Sequence, residues 1–351
     1  MIYDAENSHD IVFGKYRLEQ LIHKNATTQT YSASKCNKHT LLTTISRSYS
    51  AHDTLSLDSS SLSPPRESHN RKHSEEKYII KREKKSMLIR QLRNEINILK
   101  KLQNTHCVSS IVELGHTVDY NYVVFKKVGQ NCEAILTTLP NNRFELQDAI
   151  VFVIKSLESL QKIHDLNIIH RDIKPSNIVI DMLRGKLTFI DFGISTELNG
   201  RERDTLNENI IGTPKFCSPN AYYKRTLSKR DDLISLGYVL CYLYLGCLPW
   251  QASQLGPSVS TTDAIRHRKE NNFKYLYRKS IPREFKIFIE YSMKLKHNET
   301  PDYSILINMF YTLLTHHNYR YEFTFVKDNA RQLTEITMPH RSHTDTFESM
   351  T

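Results

Sequence analysis

The stretch from His170 to Gly193 constrains this chain more than any other part of its sequence. A histidine, an arginine and an aspartate stand in succession and end at Asp172, and the sequence Asp-Phe-Gly begins at Asp191, nineteen residues later. The intervening residues form two short β-rich runs around a turn at Arg184-Gly185, which would bring both ends of the stretch into one cleft. The stretch therefore predicts a site at which several polar side chains converge.

The polar side chains of this stretch suit phosphoryl transfer, whose loose transition state needs positioning and charge compensation more than covalent chemistry. We expect Asp172 to orient a substrate hydroxyl and accept its proton, and Lys174 to neutralise charge on the phosphoryl group in flight. Asn177 and Asp191 carry hard oxygen atoms, which Mg²⁺ prefers as ligands. A chance occurrence of both motifs does not account for these four residues at matching spacing. The stretch resembles the catalytic loop of a protein kinase.

Length and composition limit the number of lobes, the kinds of partner and the cellular location that we expect. The 351 residues suffice for two packed lobes and some unpacked sequence. The net charge of +10 favours acidic partners, namely phosphorylated substrates, nucleic acid or an anionic membrane surface, or else it lies in solvated loops. We do not expect nucleic-acid binding, because no basic motif interleaved with aromatic residues is present. The six cysteines form no CxxC pair and no metal-ligand spacing, which is typical of the reduced thiols of an intracellular protein, so we predict a location in the cytoplasm, the nucleus or both. We also expect a monomer.

The sequence predicts no membrane anchor. The polar start MIYDAENSHD lacks an apolar signal core, and the end TFESMT carries no lipidation cysteine. The apolar run from Leu233 to Trp250 approaches membrane-spanning length, but it contains Gly237, Gly246 and Pro249. We interpret this run as a buried core helix.

The residues before the catalytic stretch predict a small β-rich lobe with one main helix. Short alternating runs between Tyr16 and Thr44 predict a hairpin followed by a third run, KYIIKREKK predicts a strand ending in Lys81, and residues 111–128 predict two more strands. Helical spacing of apolar residues predicts a helix from Ser86 onward, which carries Glu95.

A serine-rich segment, residues 46–77, interrupts this lobe. It contains Pro64-Pro65, mixed charge and few large apolar residues, and such a composition cannot offset the entropy lost on ordering. We predict a disordered insertion in a surface loop, which is either merely tolerated or a regulatory phosphorylation segment.

A helical pattern from Phe144 to Leu166 and the apolar run described above predict a larger, mostly helical second lobe. The expected fold is therefore α+β, a bilobal protein kinase fold. We assign residues 1–13 to a flexible leader, 14–328 to the kinase domain, with lobes of about 14–128 and 129–328, and 329–351 to a flexible tail.

One passage narrows the resemblance to the casein kinase I family, with the vaccinia-related kinases as the nearest alternative. Ser218-Pro219-Asn220 stands where most kinases carry Ala-Pro-Glu. The other matching segments are Gly212-Thr213, Ser228–Leu233, Leu236–Leu240, Leu248–Gln251, Pro301–Ser304 and Tyr319–Tyr321. The resemblance covers residues 14–328 apart from the serine-rich segment.

This resemblance implies a role for each residue of the site. Asp172 becomes the catalytic aspartate together with Lys174 and Asn177, Asn177 and Asp191 bind Mg²⁺, and Asp232 holds the catalytic-loop backbone. The implied ATP-binding residues are Ile22, Thr30, Ile79, Lys81, Glu95, Phe125, Lys127, Val179 and Asp191, of which Lys81 and Glu95 form an ion pair and Phe125 is the gatekeeper. Phosphorylated or acidic substrates would be recognised by Lys215, Arg266, Arg268 and Lys269.

The sequence departs from the family pattern at three places. Residues 22–31, which replace the glycine-rich loop that cradles phosphates, contain no glycine. Ile79 stands in place of alanine and would crowd the adenine, and Lys126 replaces an acidic hinge residue.

Two functions of different classes follow. The first is a serine/threonine kinase of casein kinase I type that uses Mg-ATP and favours acidic or phosphorylated protein substrates. The second is a pseudokinase that serves as a binding scaffold, which the missing glycines would explain. The intact polar residues favour the first, because drift after loss of catalysis would be expected to damage some of them.

Overall fold

The computed structural model describes residues 11–12, 14–36, 77–88, 90–199, 209–251, 265–267, 269, 271, 276 and 280–326. The chain divides into two compact units. The first comprises Met1–Gln103 and Ser109–Lys127, and the second comprises Asn104–Val108 and Val128–Thr351. The predicted third run of the first lobe, nearly all of the serine-rich segment, and the tail from residue 329 lie outside the described residues.

The described part of the first unit is built on one antiparallel sheet. Its strands are β1 (Ile11–Val12), β2 (Tyr16–Lys24), β3 (Thr28–Lys35), β4 (Lys77–Lys84), β5 (Ile111–His116) and β6 (Tyr120–Lys126). They lie in the order β1-β2-β3-β4-β6-β5. Strand β4 continues beyond Lys81 to Lys84, so the prediction that the strand ends in Lys81 is wrong. Lys81 is an interior residue of the sheet, where its position is well fixed.

Alternation along the strands places apolar residues on one face of this sheet. Buried side chains from four strands form a core cluster on that face: Tyr16, Leu18, Ala33, Tyr78, Ile80, Tyr122 and Val124. The rings of Tyr16 and Tyr78 meet edge to face with their centroids 5.0 Å apart. The neighbouring residue Lys81 therefore belongs to the opposite face.

Helix α1 (Gln91–Leu102) packs on β4 and β6. Its buried apolar residues are Leu92, Ile98, Leu99 and Leu102, and three of them, Leu92, Leu99 and Leu102, belong to the predicted helical spacing. The helix begins at Gln91 rather than at Ser86, because the residues before it form a turn in which the Met87 N–H donates to the Lys84 carbonyl over 3.2 Å. Leu88, which the spacing placed on the apolar face of the helix, is fully exposed in this turn.

The second unit is mainly helical. Its helices are α2 (Cys132–Leu136), α3 (Leu146–Asp165), α4 (Pro219–Tyr222), α5 (Lys229–Leu245), α6 (Arg283–Lys294) and α7 (Tyr303–His316) in the described part. Its short strands are β7 (Gln130–Asn131), β8 (Ile168–Ile169), β9 (Ile178–Ile180), β10 (Leu187–Phe189) and β11 (Thr196–Glu197). Strands β10, β9 and β7 form one small sheet, and β11 pairs with β8. With the sheet-based first unit, this confirms the predicted α+β class.

Helix α5 is the central helix of this unit and packs against α3 and α6. At its start the Asp231 carboxylate accepts the Ser228 N–H over 2.8 Å, and Gly246, with φ +77°, ends it in a left-handed conformation. Gly237 lets α6 approach closely, because a Cβ there would lie 2.7 Å from Cγ1 of Ile289. The prediction of a buried core helix is confirmed, since α5 is buried from Asp231 to Leu243. Among the described residues, no helix has the length and apolar character needed to cross a membrane.

The chain after α7 folds back onto α3. Asp148, which is 2% exposed, accepts hydrogen bonds from the backbone N–H and the hydroxyl of Thr324, each over 2.7 Å. Phe325 packs against Phe144 with ring centroids 5.3 Å apart. Glu158 further along α3 accepts a hydrogen bond from Tyr321 over 2.8 Å. Residues near 320–325 are therefore an integral part of the helical unit.

Candidate active site

Asp232, near the start of α5, fixes the backbone of the catalytic stretch. One carboxylate oxygen accepts the N–H of His170 over 2.7 Å, and the other accepts the N–H of Arg171 over 2.9 Å. Burial alone would raise the pKa of Asp232, but the hydrogen bond from His164 and the nearby imidazoles hold it below its ordinary value. The predicted structural role of Asp232 is confirmed.

A chain of buried hydrogen bonds extends from this carboxylate to α7. His164 on α3 bonds Asp232 through Nε2 over 2.9 Å, and its Nδ1 bonds the hydroxyl of Tyr303 at the start of α7. Burial lowers the pKa of His164, which favours a neutral ring that donates through Nε2 and accepts at Nδ1. Three helices thus hold the backbone that precedes Asp172.

The carboxylate of Asp172 contacts four donor groups. Oδ1 accepts the Thr213 hydroxyl over 2.6 Å and the Thr213 N–H over 3.1 Å. Oδ2 accepts Lys174 Nζ over 2.7 Å and Asn177 Nδ2 over 3.2 Å. The Lys174 ammonium also donates to the Thr213 hydroxyl over 3.2 Å. The structure therefore brings the three predicted catalytic residues together and adds Thr213 to them.

Thr213 was not among the predicted site residues, although the sequence held a signal for it. The pair Gly212-Thr213 was recognised only as a segment of family resemblance. Gly212 has φ +93°, and a Cβ there would lie 2.6 Å from the carbonyl oxygen of Arg171. Only glycine allows this close approach, and the approach places Thr213 beside Asp172.

Two non-glycine residues of the catalytic stretch adopt left-handed backbone conformations. Arg171 has φ +67° and Asp191 has φ +64°. Such conformations are costly for ordinary side chains and cluster at functional sites when the surrounding structure enforces them. For Arg171 the enforcing contacts include the Asp232 bond and a bond from its own Nε to the Ile194 carbonyl over 2.5 Å.

The hairpin of β9 and β10 brings the two predicted metal ligands near one another. The strands pair antiparallel, as predicted, with Ile178 opposite Phe189. Beyond this pair, the Ile190 N–H donates to the Asn177 carbonyl over 2.9 Å, and Asp191 follows directly. The Asn177 side chain uses Nδ2 for both of its bonds to Asp172, and these bonds do not engage Oδ1, the atom suited to Mg²⁺. Val179, one of the implied ATP-binding residues, is buried in β9.

In the first unit, two contacts join β4 to helix α1, one through Glu95 of the helix and one through Glu83 of the strand. Lys81 Nζ lies 2.6 Å from Glu95 Oε2, and both side chains are buried. Glu83, two residues further on the same face of β4, accepts the Leu92 N–H over 3.0 Å. Arg90, at the cap position of α1, makes no side-chain cap, so this carboxylate satisfies one of the open N–H groups of the helix. Together these contacts fix the helix that carries Glu95.

Sheet register places several predicted ATP-binding residues on one face. Thr30 of β3 lies opposite Lys81 of β4, and Ile79 lies opposite Phe125 of β6. Directly paired residues, and residues two apart on a strand, share a face. Lys127, just after β6, is exposed, and its N–H donates to the Lys77 carbonyl over 3.0 Å.

The turn between β2 and β3 stands where the glycine-rich loop was expected. Ile22, just before this turn, is 51% exposed. The Asn25 carboxamide oxygen accepts the N–H groups of Thr27 and Thr28 over 2.9 and 2.6 Å. The Thr27 hydroxyl reaches Gln91 of α1, with 2.6 Å between Oγ1 and Oε1. The turn is therefore closed by its own side chains and attached to the helix.

Of the predicted substrate-recognition residues, Lys215 is half-buried. Its ammonium lies 3.6 Å from the ring centroid of Tyr242, whose hydroxyl donates to Glu133 over 3.0 Å. Burial lowers the pKa of Lys215, and Glu133 opposes this shift. Arg266 is partly buried, and Arg268 lies outside the described residues.

Lys269 occupies a different environment from the expected one. It is 1% exposed, and its ammonium donates to the carbonyl oxygens of Pro214 and Cys217 over 2.7 and 2.5 Å. The rings of Tyr222, Tyr238 and Trp250 surround it at 5.1, 5.2 and 5.6 Å from their centroids. Burial lowers its pKa to about 8. Because Lys269 is enclosed beneath the segment after Thr213, we leave it out of the proposed recognition site.

The chain was compared with models of protein families. A family model described as a protein kinase domain matches residues 60–312, well over half of the chain. The matched range contains Lys81, Glu95, the whole catalytic stretch and Thr213, whereas the turn at Asn25 precedes it.

Proposed function

The chain belongs to the protein kinase family, and we propose that it is a serine/threonine kinase of casein kinase I type that transfers a phosphoryl group from Mg-ATP to proteins. The observation that carries this proposal is the arrangement of Lys174, Asn177 and Thr213 around the carboxylate of Asp172. A catalytic base needs a defined orientation, and these contacts supply it. They also keep a cation within 2.7 Å of the place where proton transfer would occur.

Each of the site residues has a separate role in the proposed phosphoryl transfer. Asp172 orients the substrate hydroxyl and accepts its proton, and Lys174 offsets negative charge that develops nearby. Lys81, oriented by Glu95, binds phosphate oxygens. Asn177 and Asp191 offer the hard oxygens that fit Mg²⁺. When bound, Mg-ATP supplies the phosphoryl group and a metal ion that compensates its charge.

Acidic or already phosphorylated proteins are the proposed substrates. Lys215 and Arg266 lie in the part of the second unit that follows Thr213 in sequence, and by family resemblance they bind anions. The ammonium of Lys215 is partly desolvated by the Tyr242 ring, and charged hydrogen bonds are stronger where water is excluded. All six cysteines are free, which supports the proposed cytoplasmic or nuclear location.

A second candidate function is a pseudokinase scaffold. The observation that favours it is the β2–β3 turn, whose N–H groups at Thr27 and Thr28 are bonded to Asn25. A loop that cradles phosphates needs such N–H groups for the ligand. The retained contacts of Asp172 favour the enzyme over this alternative.

Incubation of the purified protein with radiolabelled Mg-ATP and casein tests the proposal. Asp172→Asn keeps the size of the side chain and removes the base, so it should lower kcat at least ~10²-fold. Equal residual transfer by both proteins would contradict the enzymatic function and favour the scaffold.

A further inference from the structure

The carboxamide oxygen of Asn25 accepts hydrogen bonds from the backbone N–H groups of the β2–β3 turn. Its Oδ1 accepts the Thr28 N–H over 2.6 Å and the Thr27 N–H over 2.9 Å, and the hydroxyls of both threonines lie within 3.2 Å of the same oxygen. The backbone closes the turn as well, because the Asn25 N–H donates to the Thr28 carbonyl over 3.0 Å. The side-chain oxygen of Asn25 therefore accepts both backbone N–H groups at the tip of this hairpin.

The turn is also fixed from outside. The Thr27 hydroxyl has a single proton, and its shortest contact, 2.6 Å, is to Gln91 at the start of α1. Thr28 is 1% exposed, whereas Asn25 itself is exposed. The two backbone N–H groups thus point at a side chain that solvent reaches.

Consecutive backbone N–H groups in a turn form a concave site for phosphate oxygens. A carboxamide oxygen is an acceptor of the same kind but carries no net charge. We propose that Asn25 stands in for nucleotide phosphate oxygens at this turn and thereby sets how much the phosphates contribute to nucleotide affinity. This inference rests on the proposed function, because it presupposes that the protein binds ATP.

Two substitutions of Asn25 should change phosphate-dependent affinity in opposite directions. Asn25→Ala releases both N–H groups, and the φ of Asn25 is not positive, so alanine fits the backbone. It should strengthen Mg-ATP binding about tenfold, as expected for one gained charge-assisted hydrogen bond. Asn25→Asp keeps the turn closed and adds a negative charge beside the phosphates, so it should weaken Mg-ATP binding by several-fold. Adenosine, which has no phosphate, should bind all three proteins alike.

The decisive experiment measures the Kd of Mg-ATP and of adenosine for the wild type and both variants by calorimetry. Asn97→Asp, on the exposed side of α1, adds the same charge away from the turn and should leave both Kd values unchanged. Thermal unfolding without nucleotide verifies that each variant is folded.

The outcomes separate this inference from the proposed function. Adenosine binding with an unchanged Kd for Mg-ATP in both Asn25 variants would overturn the role of Asn25 alone. Equal changes for adenosine and Mg-ATP would overturn it too, because they would indicate an altered turn rather than phosphate competition. A wild type and variants that bind neither ligand would overturn the proposed kinase function and this inference with it.

Discussion

Thr213 donates its hydroxyl to Oδ1 of Asp172 over 2.6 Å, so the segment after Gly212 is bonded directly to the proposed catalytic base. Removing this hydroxyl while keeping the side-chain shape, in Thr213→Val, should lower kcat about tenfold. The physical reason is that a hydrogen bond to a charged group contributes about 1.5–3 kcal/mol and orients the carboxylate. Steady-state kinetics with casein measures the effect. Thr213→Ser, which retains the hydroxyl, serves as the control, and a Thr213→Val enzyme with wild-type kcat would refute the role.

Replacing Glu83 should raise the KM for ATP, although we do not expect the Glu83 side chain to contact the phosphates. Glu83→Leu leaves the Leu92 N–H of α1 buried without its acceptor, which should cost about 0.5–2 kcal/mol of stability, as for a lost helix cap. Loosening α1 also displaces Glu95 from Lys81, so KM for ATP should rise several-fold while the Kd of adenosine stays constant. Glu83→Gln retains an acceptor and should resemble the wild type. A Glu83→Leu protein with an unchanged KM would show that the cap is not coupled to the ion pair.

The buried ammonium of Lys269 should make stability depend on pH. Its pKa falls to about 8 in the folded protein from an ordinary value of 10.5, so the unfolded chain binds more protons between these pH values. Stability therefore rises with pH over this window and is insensitive to this group below it. Urea unfolding at pH 7 and pH 9.5 should show a larger free-energy gain for the wild type than for Lys269→Met. The same gain in both proteins would mean that Lys269 titrates normally.

Substrate choice should depend on the charge of Lys215. Lys215→Met keeps an unbranched stem against the Tyr242 ring and removes the ammonium, so KM for a phosphorylated peptide should rise several-fold. KM for the unphosphorylated peptide and for ATP should stay the same. Lys186→Met removes the same charge from an exposed turn and controls for general attraction. Equal losses on both peptides would assign Lys215 to the fold rather than to recognition.

The catalytic stretch could be predicted from sequence because its residues are close together along the chain. The β9–β10 hairpin between Asn177 and Asp191 is a local structure with a turn signal at Gly185, and it alone brings these two residues together. Likewise, the pairing of Lys81 with Glu95 required only a strand and the helix that follows it. The wrong start of α1 arose from Met87 and Leu88, whose spacing suits a helix although they lie in the preceding turn.

The environment of Lys269 could not be predicted in this way. A lysine within a basic cluster is ordinarily solvated, and only the fold assembles Tyr222, Tyr238 and Trp250 around this one. The closure of the β2–β3 turn could be predicted in part from the sequence. The missing glycines were evident, and an asparagine commonly bonds backbone N–H groups two residues further along, so Asn25 before Thr27 was a usable signal.

The bond between Asp148 and Thr324 has a consequence for the newly synthesised protein. Asp148 lies 176 residues before its partner. A ribosome adds about 5–20 residues per second, so helix α3 emerges on the order of 10–40 s before Thr324 does. Throughout that interval the carboxylate of Asp148 and the ring of Phe144 lack the groups that cover them in the finished molecule. The nascent helical unit therefore cannot complete its packing on this side of α3 until the segment around Thr324 has been synthesised.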